Sequence, residues 1–237
     1  MRAVFKREFK AYFTTPIGYI VLCAFYAYLG LMFWTTYGAG VPDITGIISG
    51  TSVINFFFIP ILTMRLMCED RRQKVDQALL TAPVKLISIV LGKFLAAFAV
   101  FAMAYAPTVI FELVFASKVS VNVMTYIYSL IGVLLLGATL ISIGMFISCL
   151  TESTAVAAIL AIVVNIVFML MSMFSDAVKD NKWFGWLSKV FDKLDFITAS
   201  ENFNYSIFRF ADIIYFVSIT AVFVFLSVRS LEKRRWS

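Results

Sequence analysis

Long apolar stretches separated by short polar segments dominate the chain. Six of them, each about 20 residues or longer, carry very few charged side chains: 17–37, 47–67, 93–116, 125–149, 154–175 and 211–229. A helix needs about 20 apolar residues to cross the roughly 30 Å hydrocarbon core of a bilayer. The alternating pattern of a membrane β-barrel is absent. The pattern therefore predicts an all-α membrane protein with six transmembrane helices.

The composition supports this prediction. Of 237 residues, 62% are hydrophobic and 14% are charged, and a soluble domain of this size would expose large apolar patches to water. The basic start of the first stretch fits a signal peptide. Its apolar run, however, is much longer than the apolar region of a typical signal peptide and lacks a convincing cleavage site of small residues. We therefore expect this stretch to be retained as a span.

The placement of Lys and Arg predicts the orientation. Four lie before the first span, six in the 65–93 connection and four in the C-terminal tail, whereas the opposite side has six, five of them offset by five acidic residues in 176–210. Positive charge marks cytoplasmic segments, so both termini are expected in the cytoplasm. The net charge of +6 is explained by these flanks, and we predict no nucleic-acid partner.

Two amphipathic segments are predicted outside the spans. Residues 1–16 form an interfacial helix, because their aromatic and basic side chains occupy neighbouring arcs of a helical wheel. The alternative is an ordinary basic flank that happens to be helical. In the external loop, 176–210, residues 183–194 form a second amphipathic helix with Trp183 as an interfacial anchor. This helix either anchors the external loop to the membrane, which is the interpretation we favour, or acts as a lid over an exit route.

The connection 68–92 is the most informative polar segment. It opens with Glu69, Arg71 and Arg72, continues to the Leu79-Leu80 pair and is broken by Pro83. Ion pairs at one end and leucines at the other predict a short helix that docks on a partner, ended by the proline. The alternative is a solvated loop, and composition alone favours neither.

Few polar residues lie inside the predicted spans. Asn55, Glu112 and Asn165 are candidates for the lining of a transport pathway, since buried polar groups in a bilayer face the bundle or a wet cavity. Glu112 lies near the outer end of its span, where its side chain can also reach water. Pro60 and Pro107 are candidates for helix breaks.

The small residues Gly144 and Ser148, one helical turn apart, indicate a helix-packing face more than a ligand site.

Several kinds of chemistry have no counterpart in the sequence. The chain has no histidine and three scattered cysteines, so no metal or haem site is expected. Gly92-Lys93 is the only Gly-Lys step and lacks the preceding glycine of a phosphate-binding loop. We therefore expect no ATP hydrolysis and no cofactor in this chain. Secondary transport driven by protons is disfavoured, because the mid-bilayer positions hold no carboxylate.

The connection resembles the cytoplasmic loop of permeases of the ABC-2 type exporter family. The residues that carry the resemblance are Glu69, Arg71, Leu79, Leu80, Pro83, Gly92 and Lys93. Further similarity lies in the opening segment 5–19, in the hairpin 146–152 and in the ending 232–236. Asp212-Ile-Ile-Tyr-Phe, at the start of the last span, is most similar to the gliding-motility and nitrous-oxide-maturation type permeases. Lys74-Val75-Asp76 departs from the Gly-Thr-Glu of that subgroup.

The resemblance implies a permease of the bacterial cytoplasmic membrane. Separate ABC ATPase subunits would bind ATP and Mg²⁺ and dock on a coupling helix formed by Glu69, Arg71, Arg72, Leu79, Leu80 and Pro83. A second copy or a homologous permease would complete the pathway, with or without an auxiliary membrane subunit. Two alternatives remain: an ABC-coupled scaffold without solute flux, and a stand-alone secondary transporter.

Overall fold

The computed structural model describes residues 1–40, 43–72, 85–117, 122–171, 174, 195–204 and 209–236. These residues form ten α-helices and no strand, which confirms the predicted all-α class. The helices are α1 Arg2–Thr14, α2 Pro16–Gly38, α3 Ile44–Thr63, α4 Cys68–Arg72, α5 Leu86–Ala104, α6 Ala106–Ala116, α7 Val123–Leu150, α8 Thr154–Met169, α9 Phe196–Asn204 and α10 Phe210–Trp236.

Among the described residues, five helical segments are long and apolar enough to cross a membrane. They are Pro16–Gly38, Ile44–Arg72, Leu86–Ala116, Val123–Leu150 and Phe210–Lys233. The sixth predicted span, 154–175, corresponds to α8, which is apolar but shorter. Residues 172–173 and 175, at the end of that span, lie outside the described part of the chain.

Helix α7 lies at the centre of the bundle, packed against α3, α5, α8, α9 and α10. Two glycines allow this close packing. A Cβ atom at Gly137 would overlap the ring of Phe101 on α5, and one at Gly144 would overlap the side chain of Thr63 on α3. The small-residue face predicted around Gly144 is therefore a helix-packing face, as expected.

The two intramembrane prolines behave differently. The third predicted span is interrupted at Tyr105, so α5 and α6 are separate helices and the break expected near Pro107 is confirmed. The break expected at Pro60 is wrong, since α3 continues through that residue. Other helices stabilise both sites, as described below.

Some element boundaries differ from the sequence-based ones. Within the predicted 68–92 connection, the chain forms α4, and α5 begins at Leu86 rather than at residue 93. The predicted external loop 176–210 contains α9, whose Phe203 is buried against Gly132 of α7. The predicted amphipathic helix 183–194 lies outside the described residues.

The predicted N-terminal helix is present as α1, which packs against α5 and α2. Its Tyr12 is only 2% exposed, and Gly18 of α2 brings the two helices together because a Cβ there would overlap the carbonyl of Tyr12. Lys6 and Lys10 remain exposed. This helix is therefore attached to the bundle on its aromatic face, with Lys6 and Lys10 exposed on the neighbouring arc.

Candidate functional site

The C-terminal end of α3 is held by side chains from other helices. The last carbonyls of a helix have no intrahelical donor and need other partners. Three carbonyls at this end accept hydrogen bonds: Leu62 from the Tyr12 hydroxyl (2.8 Å), Leu66 from the Lys93 ammonium (2.5 Å) and Met64 from the Ser148 hydroxyl (3.1 Å). Helices α1, α5 and α7 thus converge on the turn between α3 and α4. We call this region the junction.

Lys93 is the ionic centre of the junction. It is 2% exposed, and its Nζ lies 2.7 Å from Asp70 Oδ2 of α4 and 3.2 Å from Glu8 Oε1 of α1. Arg7 pairs with the same two carboxylates, at 2.5 Å to Glu8 and 3.3 Å to Asp70. Burial lowers the pKa of Arg7, but these carboxylates outweigh it and raise the pKa above its usual value. Two cations and two carboxylates therefore tie α1, α4 and α5 together.

Gly92 explains why α1 can approach α5 so closely. A Cβ atom on Gly92 would lie 3.0 Å from Cβ of Val4 and 3.3 Å from the carbonyl oxygen of Met1. A larger residue would push α1 away from the helix that carries Lys93. Gly92 thus leaves room for α1 to approach α5, and Lys93, the next residue, holds α1 there through its ion pair with Glu8.

A second set of contacts surrounds Arg65. Its guanidinium binds Glu69 (Nε to Oε2, 2.8 Å), donates to Thr15 Oγ1 (Nη1, 2.5 Å) and lies over the ring of Tyr12. Burial raises the pKa of the Tyr12 phenol above its usual range, so the hydroxyl is a neutral donor to Leu62. Arg65 therefore joins the start of α4 to the turn between α1 and α2.

The junction also reaches the hairpin between α7 and α8. Arg71 of α4 forms an ion pair with Glu152 at the hairpin tip. Ser148 Oγ accepts hydrogen bonds from the backbone N–H groups of Met67 (3.1 Å) and Cys68 (3.2 Å). One ion pair and a short set of hydrogen bonds thus connect α4 to the hairpin.

The structure brings half of the predicted coupling residues to the junction. Glu69 and Arg71 form the ion pairs just described, and Arg72 is exposed at the end of α4. Leu79, Leu80 and Pro83 lie outside the described residues.

Sequence reasoning missed other junction residues. Three of them are Tyr12, Glu8 and Ser148. The sequence pattern did not assign any of these residues to a coupling site. Lys93 enters the sequence analysis as a basic flank of a span, as a Gly-Lys step and as part of the resemblance, but not as a residue of this site. One feature of the sequence could have identified Lys93: it follows a glycine and lies at the start of an apolar run. A lysine that is buried at such a position needs a partner.

The predicted pathway candidate Asn165 has a structural partner. Pro60 has no N–H, so the carbonyl of Phe56, four residues earlier, loses its helical donor. Asn165 Nδ2 on α8 donates to this carbonyl at 3.1 Å and is buried. This contact allows α3 to continue through the proline.

Asn55 contacts the residue at which the third predicted span is interrupted. Its Nδ2 donates to the hydroxyl of Tyr105, the residue between α5 and α6, at 2.7 Å. Because Pro107 has no N–H, the carbonyl of Met103 loses its helical donor, and this carbonyl accepts from the Tyr26 hydroxyl at 3.0 Å. Side chains of α2 and α3 therefore stabilise this break.

Glu112 on α6 differs from both asparagines. It is 5% exposed, and neither carboxylate oxygen has a hydrogen-bond partner among the residues that the structure describes. One turn earlier on α6, Thr108 contacts the hydroxyl of Tyr126 on α7 at 3.1 Å. Of the three pathway candidates, Glu112 alone has its whole functional group unpartnered.

Comparison with known proteins agrees with the resemblance seen in the sequence. A family model described as ABC-2 type transporter matches residues 1–191, which include α1 to α8 and every junction residue named above. No curated protein sequence matches the chain. The match covers well over half of the 237 residues, and the five long apolar helices fit a multi-pass membrane protein. The chain therefore belongs to the ABC-2 type transporter family of membrane proteins.

Proposed function

We propose that the chain is the permease subunit of an ABC exporter, which moves a substrate across the cytoplasmic membrane with ATP hydrolysed by separate ATPase subunits. The observation that carries this proposal is the junction. Its ion pairs and hydrogen bonds join α1, α4, α5 and the α7–α8 hairpin immediately before residues 73–84, the segment that contains Leu79, Leu80 and Pro83.

This arrangement suits the transmission of force from a docked ATPase. A movement of residues 73–84 would act on α4 at one end and on α5 at the other, because the segment connects Arg72 to Lys85. Lys93 links the two ends through Asp70, so they move as one unit with α1. ATP-driven closure of the ATPases would bias the spans between two packings.

Several contacts support six crossings. The α7–α8 hairpin lies at the junction end, since Glu152 pairs with Arg71. Helix α10 also ends near this side, because Glu232 lines the same groove as Lys85, which precedes α5. We propose that α10 provides the return crossing and that the segment that begins with α8 provides the outward one. The cluster of basic residues at this end supports a cytoplasmic location for it and for both termini.

We further propose that the subunit works in a bacterial cytoplasmic membrane as a dimer, or with a homologous permease, and that an auxiliary subunit can join. The gliding-motility and nitrous-oxide-maturation subtype is supported by the motif at the start of α10. Its Asp212 accepts a hydrogen bond from Asn202 of α9 at 3.2 Å, and its Phe216 is fully buried. Glu112, which lacks a partner among the described residues, is the best candidate for substrate contact.

The test is capture of the ATPase. Wild-type chain purified from its native membranes is expected to retain an ABC ATPase, whereas the double variant Leu79→Asp/Leu80→Asp is expected to lose it. The control Lys179→Asp/Lys182→Asp introduces two acidic residues in the predicted external loop and should retain it. Equal retention by the first variant and wild type would contradict the docking assignment.

Flux measurements separate the proposal from its alternatives. An exporter reconstituted with its ATPase in vesicles moves solute when ATP is added. A scaffold would hydrolyse ATP without flux, and a secondary transporter would move solute without the ATPase in response to an ion gradient. Either of the last two results would overturn the exporter assignment.

A further inference from the structure

A large groove runs between α5, α7 and α10 on the side of the bundle away from α3. Its volume is about 930 Å³, and it is open rather than enclosed. Val217 and Phe225 of α10 line it and are 52% and 55% exposed, so the groove faces outward, towards the bilayer. A second cavity, between α2, α3 and α5, holds only about 10 Å³ and is too small for a ligand.

The depth of the groove matches one leaflet of the membrane. Its apolar wall on α10 runs from Val228 to Val217 through Ala221 and Val224. At 1.5 Å per residue this wall is about 17 Å long, close to half of the roughly 30 Å hydrocarbon core. Small and β-branched side chains leave room along this line for an extended acyl chain.

The charged residues all lie at one end of the groove. Lys85 stands just before α5, and Arg229 and Glu232 lie near the C-terminal end of α10. Arg229 Nη1 binds Glu232 Oε2 at 2.7 Å, and no carboxylate of the described residues pairs with Lys85. The mouth of the groove therefore carries two cations and one carboxylate, with a net positive charge that suits one phosphodiester.

From this match of depth and charge we propose that the groove holds one anionic phospholipid of the leaflet at the junction end. One acyl chain lies between α5 and α10, and the phosphate lies between Lys85 and Arg229. This lipid is a resident ligand and not the transported substrate. Because it contacts α5 near the segment 73–84, it would fix the position of the helix that carries Lys93.

The experiment uses the full chain in detergent without any ATPase, so its outcome is independent of the exporter proposal. Delipidated protein is mixed with phosphatidylglycerol or with phosphatidylcholine of the same acyl chains, and binding is followed by native mass spectrometry and thermal unfolding. Wild type is expected to bind phosphatidylglycerol about tenfold more tightly. The double variant Lys85→Gln/Arg229→Gln is expected to bind both lipids equally.

A matched control distinguishes a site from general attraction. Lys6→Gln/Lys10→Gln removes two exposed cations from α1 and should keep the preference for phosphatidylglycerol. Loss of the preference in this control, or equal binding of both lipids by wild type, would overturn the proposal. Soluble glycerol phosphate that competes as strongly as the lipid would also overturn it, since the groove would then be a phosphate site.

Cysteine cross-linking tests whether a second copy of the chain fills the groove instead. Phe225→Cys is introduced after Cys23, Cys68 and Cys149 are replaced by alanine. Efficient disulfide formation between two copies in native membranes would identify the groove as a subunit interface and overturn the lipid proposal. Absence of the cross-link is the result expected for a lipid-filled groove.

Discussion

Two buried ionisable side chains in the bundle have opposite environments. Lys93, 2% exposed at the junction, has a carbonyl and two carboxylates within 3.2 Å of its ammonium. Glu112, 5% exposed on α6, has no hydrogen-bond partner for either oxygen among the described residues. The first charge is satisfied by the fold. The second is left without a partner in the part of the fold that the structure describes.

The difference separates structural from functional polar groups inside the bundle. A buried charge with complete partners holds elements in fixed positions, and removing it leaves its partners unpaired. A buried charge without partners costs stability, and such a residue inside a membrane is a candidate functional site. Asn55 and Asn165 are intermediate, since their amide nitrogens have partners whereas their side-chain oxygens have none among the described residues.

The largest effect is expected from Lys93→Met. Glu8 and Asp70 would keep only Arg7 as a partner, and the carbonyl of Leu66 would lose its donor. We expect the free energy of unfolding in detergent to fall by about 3–5 kcal/mol, measured by chemical denaturation. Lys6→Met, an exposed site on the same junction helix, should change it by less than about 0.5 kcal/mol. Similar values for both variants would show that the ionic centre is not structural.

An intermediate effect is expected from Asn165→Leu. The carbonyl of Phe56 would lose its only side-chain donor next to Pro60, at an expected cost of about 2 kcal/mol. In the Pro60→Ala background the backbone supplies the missing N–H, so the same substitution should cost almost nothing. The double-mutant cycle measures this coupling, and additive losses would contradict the role assigned to Asn165.

A gain of stability is expected from Glu112→Met. Methionine is also the residue introduced in the Lys93→Met variant, so the two substitutions can be compared directly. The substitution removes an unpartnered polar group, so unfolding should become about 1 kcal/mol less favourable. If Glu112 contacts the substrate as proposed, transport by the reconstituted complex should fall at the same time. Loss of stability would place Glu112 with Lys93 as a structural residue.

The smallest effect concerns the rim of the junction. The ion pair between Arg71 and Glu152 is partly exposed, so breaking it by Arg71→Glu should cost only about 0.5 kcal/mol of stability. ATPase stimulation by the chain should drop more clearly, since the hairpin is uncoupled from α4. Restoration by the swapped pair Arg71→Glu/Glu152→Arg would confirm the contact, and no recovery would show that another partner holds the hairpin.

Much of the fold was predictable because hydrophobic length determines it. The long apolar runs predicted α2, α3, α7 and α10, and the aromatic and basic arcs predicted α1. The start of α5 was misplaced for a physical reason. A lysine in the hydrocarbon region costs about 2.5–3.5 kcal/mol, which placed Lys93 at the boundary of the span. In the structure Lys93 pairs with the carboxylates of Glu8 and Asp70, and α5 begins before it, at Leu86.

The candidate site was predictable only in part. Sequence pattern identified Glu69 and Arg71 as charged residues at the start of a helix, but it does not state which charges meet in space. Glu8 and Lys93 are 85 positions apart, and no periodicity connects them. The role of Asn165 follows from a proline on another helix, which a sequence alone does not place beside it.

The long sequence separation between Glu8 and Lys93 has a consequence for biogenesis. The first helix leaves the ribosome before the helix on which it docks has been made, and translation proceeds at about 5–20 residues per second. During this interval of several seconds α1 can already pack against α2, which follows it in the chain. Its ion pair with Lys93 forms only after α5 has been made, so the junction is completed later than the contact between the first two helices.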